Sequence, residues 1–435
     1  MNTKIGKLGL LLFLLQGSAF AQQNKPLNLQ EVIRLAQTQS LEAKASDTKI
    51  TGRKLEYEAS RNSLLPDAKV SGQYLAMTSP DVNLQIPLSS SSEDPMAIKA
   101  NQLLLGQASI SMPVYTGGKI KNSIAAASNA IKVEEFSALA LKDQLAERGI
   151  NLYINLYKAQ QTALLMEENI KRSEQRVVDF KAMEANGIIP RNDLLKAELQ
   201  LSNYKVALQE AQKNSTVLNY QLVNFLKLDE ATVISSIDLD EAPTAIDFSD
   251  ANAALANRNE LKALQAQHDI ALNKVNIEKS NALPKIALTG GYAALDVHNL
   301  VTVKNAINVG VGVSYDIGSL YKNKKNVNIA RNQVSQVDEN VVMMNDKIKV
   351  QVQQANENYH LTVSQNQLYT EAVNQANENY RIVKDKYDNG VADTDDLLEA
   401  DVQQLQSKIN LAISKANTIE KYYDLLLANG QLTTK

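Results

Sequence analysis

The sequence predicts a mainly helical protein with a smaller β component, written twice along one chain. Apolar residues keep 3-4 spacing over very long runs, short segments alternate apolar with small or polar residues, and blocks of the first half recur in the second.

The longest stripe keeps its spacing without a break from Val327, Ala330, Val334 and Val337 to Tyr359. Thr362 and Asn366 hold the phase with polar side chains, and Tyr369, Val373, Ala376, Tyr380, Val383 and Tyr387 resume it. QANENY at 354–359 returns at 375–380, three heptads later. The first half shows the same spacing from Leu152 to Phe180. It returns after Gly187 from Leu194 to Phe225, and after Gly390 in Leu398, Val402, Leu405 and Ile409 through to Leu426. Such a pattern, with small residues among the knobs, indicates coiled-coil packing of close-set helices. Segments 119–186 and 321–388 contain no proline, so each is expected as one helix of roughly 100 Å. The helices returning after the glycines are about half as long. Amphipathic segments 28–62 and 248–281, stacked end to end with them, supply the missing half.

Alternation marks the strands. Ala108, Ile110, Met112 and Val114 face one way, against Gln107, Ser109 and Ser111. Ile307, Val309, Val311, Val313 and Tyr315 repeat this against Asn308, Gly310, Gly312 and Ser314, and 67–77 and 285–295 alternate less cleanly. A membrane barrel wall and a half-buried soluble sheet share this pattern.

Duplication orders these elements. SLLPDAKVSGQY (63–74) resembles ALPKIALTGGY (282–292), and NGIIPRNDLLKAELQL (186–201) resembles NGVADTDDLLEADVQQL (389–405). The chain therefore divides into a signal segment (1–21), a first repeat (22–228), an acidic linker (229–247) and a second repeat (248–435). The signal reading rests on Lys4 and Lys7, the apolar run Leu8 to Leu15, and the small-x-small site Ala19-Phe20-Ala21, with cleavage expected after Ala21.

Composition bounds the chemistry. With 45 basic and 48 acidic residues the net charge is −3, a balance that argues against nucleic acid as a bulk partner. The absence of cysteine excludes disulfides, thiolate metal sites and thiol nucleophiles. His268, His298 and His360 are scattered, so neither metal nor other cofactor is expected. Gly117-Gly118 and Gly290-Gly291 do not form a phosphate loop and are read as strand-end glycines. The serine run Ser89 to Ser92 has no nucleophile context, and no run of 18 apolar residues follows the signal segment. No enzyme is expected.

The order of short helix, two strands, long helix, glycine turn and returning helix resembles the TolC-like outer-membrane efflux proteins. The specific marks are PDAKVSGQY, the strand exit SMPVYTGGKIKNSIAAA (111–127) and the paired NGxxxxxDLLxA turns; the second exit, SYDIGSLYKNKKNVNIA (314–330), departs from the family's glycine pair. The resemblance implies a homotrimer in the outer membrane with a long periplasmic extension. Twelve strands would form its barrel and twelve helices a tunnel below it, with the linker and C-terminal end in an equatorial collar. It implies the exit duct of a tripartite efflux system, passing small toxic compounds or drugs from an inner-membrane pump and a periplasmic adaptor. A type I protein secretion duct and, in a different class, a coiled-coil scaffold are the alternatives.

By the same resemblance the tips Asn186, Gly187, Ile188 and Ile189, with Asn389, Gly390, Val391 and Ala392, are what the adaptor grips. Asp396 and Glu399 match positions of lumen-facing acids, and threefold repetition would make them a cation-selective constriction. Asp193 matches Asp396 in the other copy. Solvated charges or first-turn acids on the helix dipole are the competing reading for all three.

Overall fold

Seventy residues of unbroken helix need a partner along their whole length, and the chain supplies it in two pieces. In this computed structural model, residues 23–78, 101–234, 239, 251–298 and 300–432 are described. The signal segment and Ser89–Ser92 lie outside them, as does most of the linker.

The first half runs β1 (Gln23–Lys25), α1 (Leu29–Gln39), α2 (Leu41–Asn62), β2 (Asp67–Ala76), β3 (Gln102–Tyr115), α3 (Lys119–Ala185) and α4 (Arg191–Phe225). A short strand β4 (Thr232–Ile234) falls in the stretch read as an irregular linker. The second half runs α5 (Ala251–Asn257), α6 (Asn259–Ser280), β5 (Lys285–Val297), β6 (Val301–Ser314), α7 (Ser319–Asp388) and α8 (Thr394–Ala428). Helices α3 and α7 have 67 and 70 residues, so each spans roughly 100 Å. Near the strands α3 packs on α2 and α6, and α7 on α6; toward the glycine turns α3 packs on α4 and α8, and α7 on α8. Every member of the α7 stripe is buried or half-buried, from Val327 to Tyr387.

Register explains the alternation. The strands form one antiparallel sheet in the order β2-β3-β5-β6. Val70, Ala108, Tyr292 and Ile307 share one row, and Lys69, Ser109, Gly291 and Asn308 the next. Successive rows point to opposite faces, giving one apolar face and one small or polar face. Among the described residues no other element covers the apolar face: Val70 and Val309 are each 88% exposed. Gly290 and Gly291 stand within β5, not at its end, and Gly291 faces the Ala108 carbonyl so closely that a Cβ would lie 3.1 Å from it.

The core is thickest at mid-height. Ile150, Tyr153, Ile154 and Leu156 of α3 are at most 1% exposed, where α1 and the ends of α4 and α8 converge. Gly149 lets α1 approach there; a Cβ would meet Ala36 and Val32 at 3.2 and 3.3 Å. Strand β1 pairs in parallel with β4, and the Tyr153 hydroxyl donates to the Leu27 carbonyl at 2.6 Å. Each shorter helical segment breaks just off this level, at Ser40 between α1 and α2 and at Arg258 between α5 and α6. Arg258 then donates to the Ala428 carbonyl at the end of α8 and to Gln351 of α7, tying the break to both.

The two strand exits differ. Gly117 and Gly118 adopt φ of +65° and +86°, turning β3 into α3 within two residues. The second exit has no such pair: Gly318 has φ −59° and the Ser319 hydroxyl donates to the Asp316 carbonyl at 2.6 Å. A Cβ on Gly117 would fall 2.8 Å from Leu283 Cβ, whereas one on Gly187 at φ +71° meets nothing. Gly187→Ala is therefore expected to cost about 1 kcal/mol of backbone strain, and Gly117→Ala at least about 2 kcal/mol. Urea unfolding midpoints of the two variants check this order; equal midpoints would contradict it.

Candidate functional site

At the end farthest from the sheet, both helical hairpins turn in the same way. The Gly187 and Ile188 amides donate to the Glu184 and Met183 carbonyls, each at 2.9 Å. The Gly390 and Val391 amides donate to Tyr387 and Lys386, at 2.9 and 2.8 Å. These are paired Schellman closures with glycine in the left-handed position. Asn186 and Asn389 each donate a side-chain amide back to the carbonyl four residues earlier. The closures leave Ile188 and Val391 67% and 75% exposed at the extreme tips. Ile189 instead turns inward onto the cluster of Phe180, Leu194 and Leu397.

The three carboxylates occupy different surroundings. Asp193 accepts from the Thr394 hydroxyl at 2.9 Å, joining the start of α4 to that of α8. Asp396 completes a capping box with Asp393: its amide donates to Asp393 at 2.9 Å and its carboxylate accepts from the Asp393 amide at 3.4 Å. The first-turn reading thus describes part of its bonding. Glu399 accepts from Gln403 and, like Asp396, is exposed. Three residues apart, the two acids share one face of α8. Among the described residues no hydrogen bond or ion pair links either to Asp193. Lys196 bridges the two turns, 2.7 Å from Asp395 and 3.8 Å from Asp193.

About 18 Å above the tips lies a polar cluster that the heptad reading passes over. Asp401 is fully buried and accepts from Arg176 at 3.0 Å, Tyr204 at 3.1 Å and Asn169 at 3.4 Å. Arg176 also donates to the Tyr380 hydroxyl at 3.2 Å, and Gln200 donates to the Leu398 carbonyl at 3.0 Å. All four long helices meet here, between two apolar clusters. Burial opposes the charge on Arg176, but the hydrogen bond and field of Asp401 outweigh it and hold the guanidinium more firmly protonated. Burial, then the Asp401 charge, push the Tyr204 phenol well above its ordinary range. Here the α8 stripe needs correction: Val402, assigned to the core, is 44% exposed, and its neighbour Asp401 is buried instead. A spacing rule built on apolar residues skips a buried acid. The available signal was Arg176, a cation between the core positions Ser173 and Val177 of α3.

An open sheet with one apolar face, carried on paired helices of about 100 Å, defines a channel-type protomer. Residues 251–431 match the family model for outer membrane efflux proteins. The outer membrane efflux protein BepC of Brucella suis biovar 1 is 22% identical over 344 residues, covering 78% of this chain and 72% of its own. The CmeC outer membrane channel of Campylobacter jejuni superposes with a TM-score of 0.77 at 17% identity, over 93% of this chain and 86% of that one. For the open state of the Neisseria gonorrhoeae MtrE outer membrane channel the values are 0.73, 16%, 93% and 89%. The second half of the chain thus carries an outer membrane efflux protein domain, and the TolC-like resemblance holds for the whole fold. The fold of the chain is the one these outer membrane channel structures share.

Removing one partner of a buried ion pair strands the other charge. Asp401→Asn is expected to destabilise the protein by about 3 kcal/mol, and Arg176→Met with Asp401→Leu by much less. Thermal melts of the detergent-solubilised variants check this; a single variant as stable as wild type would show the pair to be dispensable.

Proposed function

We propose that the chain is the outer-membrane exit duct of a tripartite efflux system, working as a homotrimer. It would pass small toxic compounds or drugs handed on by an inner-membrane pump through a periplasmic adaptor. The observation that carries this reading is that the protomer is incomplete on both flanks.

In the sheet, β2 and β6 are open edges, and unpaired backbone groups are not tolerated in lipid. Toward the tips, α4 and α7 are the outermost helices. Each carries an apolar stripe on the face turned away from its partner in the chain. On α4 this stripe is Leu195, Leu199, Val206, Val217 and Tyr220; on α7 it is Leu361, Leu368 and Ile382, all exposed. Helix α4 rises from the tip while α7 descends to it. At about 1.5 Å per residue, Leu195 and Leu199 come level with Ile382, and Val217 with Leu361. One copy's α4 stripe therefore faces the next copy's α7 stripe in a head-to-tail contact, which closes when the rotation closes. Three copies, the number the resemblance implies, bring twelve strands and twelve helices into one ring.

In that ring Asp396 and Glu399 would be repeated three times around the narrow end as a carboxylate constriction, with Asp193 in the network that holds it. The exposed tip residues, above all Ile188 and Val391, would be the adaptor's grip. Asp396→Asn with Glu399→Gln should lower cation preference several-fold in planar bilayers, read from reversal potentials. Unchanged selectivity would remove both from the constriction. A detergent-corrected mass of one chain rather than three would end the duct reading itself.

A further inference from the structure

All four strand–helix crossings lie at one end of the sheet, and positive charge collects there. The exits carry Lys119 and Lys121 on one side, and Lys322, Lys324 and Lys325 on the other. The entries carry Arg61 and Lys279; Lys69 and Lys285 stand in the small or polar rows of the sheet, away from its apolar face. The seven cations at the helix ends are exposed, while the acids at this level are Glu58, Glu278 and Asp316. The belt is therefore four charges positive in a chain whose net charge is −3. Among the described residues none of the seven has a carboxylate within 4.0 Å, unlike Arg381 or Lys384 near the tips, which are paired.

The order of side chains along the molecule gives the belt its meaning. The apolar face of β5 and β6, with Val309, Val311 and Val313, ends in exposed Tyr115 and Tyr315. Ile317 and Tyr321 follow, 68% and 71% exposed, and then the lysines of the first turns of α7. Hydrocarbon, aromatic interface and cation in sequence match the profile of a bilayer leaflet from its acyl chains to its headgroups.

We propose that this belt binds the anionic phospholipid headgroups of the leaflet facing the helices, and that it fixes the depth of the sheet in the membrane. The inference rests on the membrane reading above. Charge complementarity selects the partner: unpaired ammonium groups at one depth suit phosphodiesters and gain less from zwitterionic lipid.

The test reconstitutes the full chain into mixed nanodiscs of phosphatidylcholine, phosphatidylglycerol and lipopolysaccharide, and quantifies retained lipid by native mass spectrometry. Wild type is expected to retain phosphatidylglycerol over phosphatidylcholine by about tenfold, and less in high salt. Changing Lys119, Lys121, Lys322, Lys324 and Lys325 to Gln should bring the ratio close to one. The same five positions as Arg should keep the preference, which separates charge from folding. Equal retention by wild type, an unchanged ratio in the Gln variant, or preference for lipopolysaccharide would overturn the proposal. A chain that enters no bilayer would instead sink the membrane reading.

Discussion

A stripe of small and branched residues recurring every three or four positions holds α3 and α7 to their neighbours, and everything at either end of the molecule is placed by it. Neither helix could persist for about 100 Å on propensity alone, because most helical stability in proteins comes from packing one face. The stripe on α7 is served by two separate helices, α6 near the sheet and α8 near the tip. Their junction is where the structure is most elaborate. Arg258, Gly149 and the β1–β4 pair all lie around it, closing the gap that two abutting helix ends would leave.

Much of the fold was legible because long regular elements leave periodic traces. The α7 stripe and both glycine turns emerge where the spacing puts them, with boundaries within a residue or two for the long helices. What escaped was irregular or compensated. Strand β4 is three residues long and lies in an acidic stretch, too short for alternation to mark. Asp401 escaped because its burial depends on Arg176, 225 positions away in the chain. Asp396 and Glu399 came from the family resemblance and Asp193 from the repeat of the turn motif, none from a local sign of function, and Asp396 shows why. A first-turn acid in a capping box and a pore acid look alike in sequence, since one carboxylate can bond its own helix end and still face solvent.

The two halves also show what duplication leaves free. Both tips kept the same closure, down to the asparagine that returns to the carbonyl four residues back. The strand exits diverged: one turns on two left-handed glycines, the other on a helical glycine with a serine hydroxyl. The first exit packs against Leu283 and Ser280 of the neighbouring crossing, so its backbone has little room. The second lies beside the open edge of β6; Asn323 ties it to the Glu278 carbonyl, and around Gly318 the near neighbours are the local Asp316 and Tyr321 side chains.

The division of labour between α6 and α8 has a mechanical side. Because the partner of α7 changes at mid-height, the lower hairpins form arms of roughly 50 Å below the thickest part of the core. A swing of roughly 5° there carries a tip by roughly 4 Å, while the sheet above need not shear. The Arg176–Asp401 tie sits about two-thirds of the way down the arm. It therefore resists such a swing with far greater torque than the same bond would near the pivot.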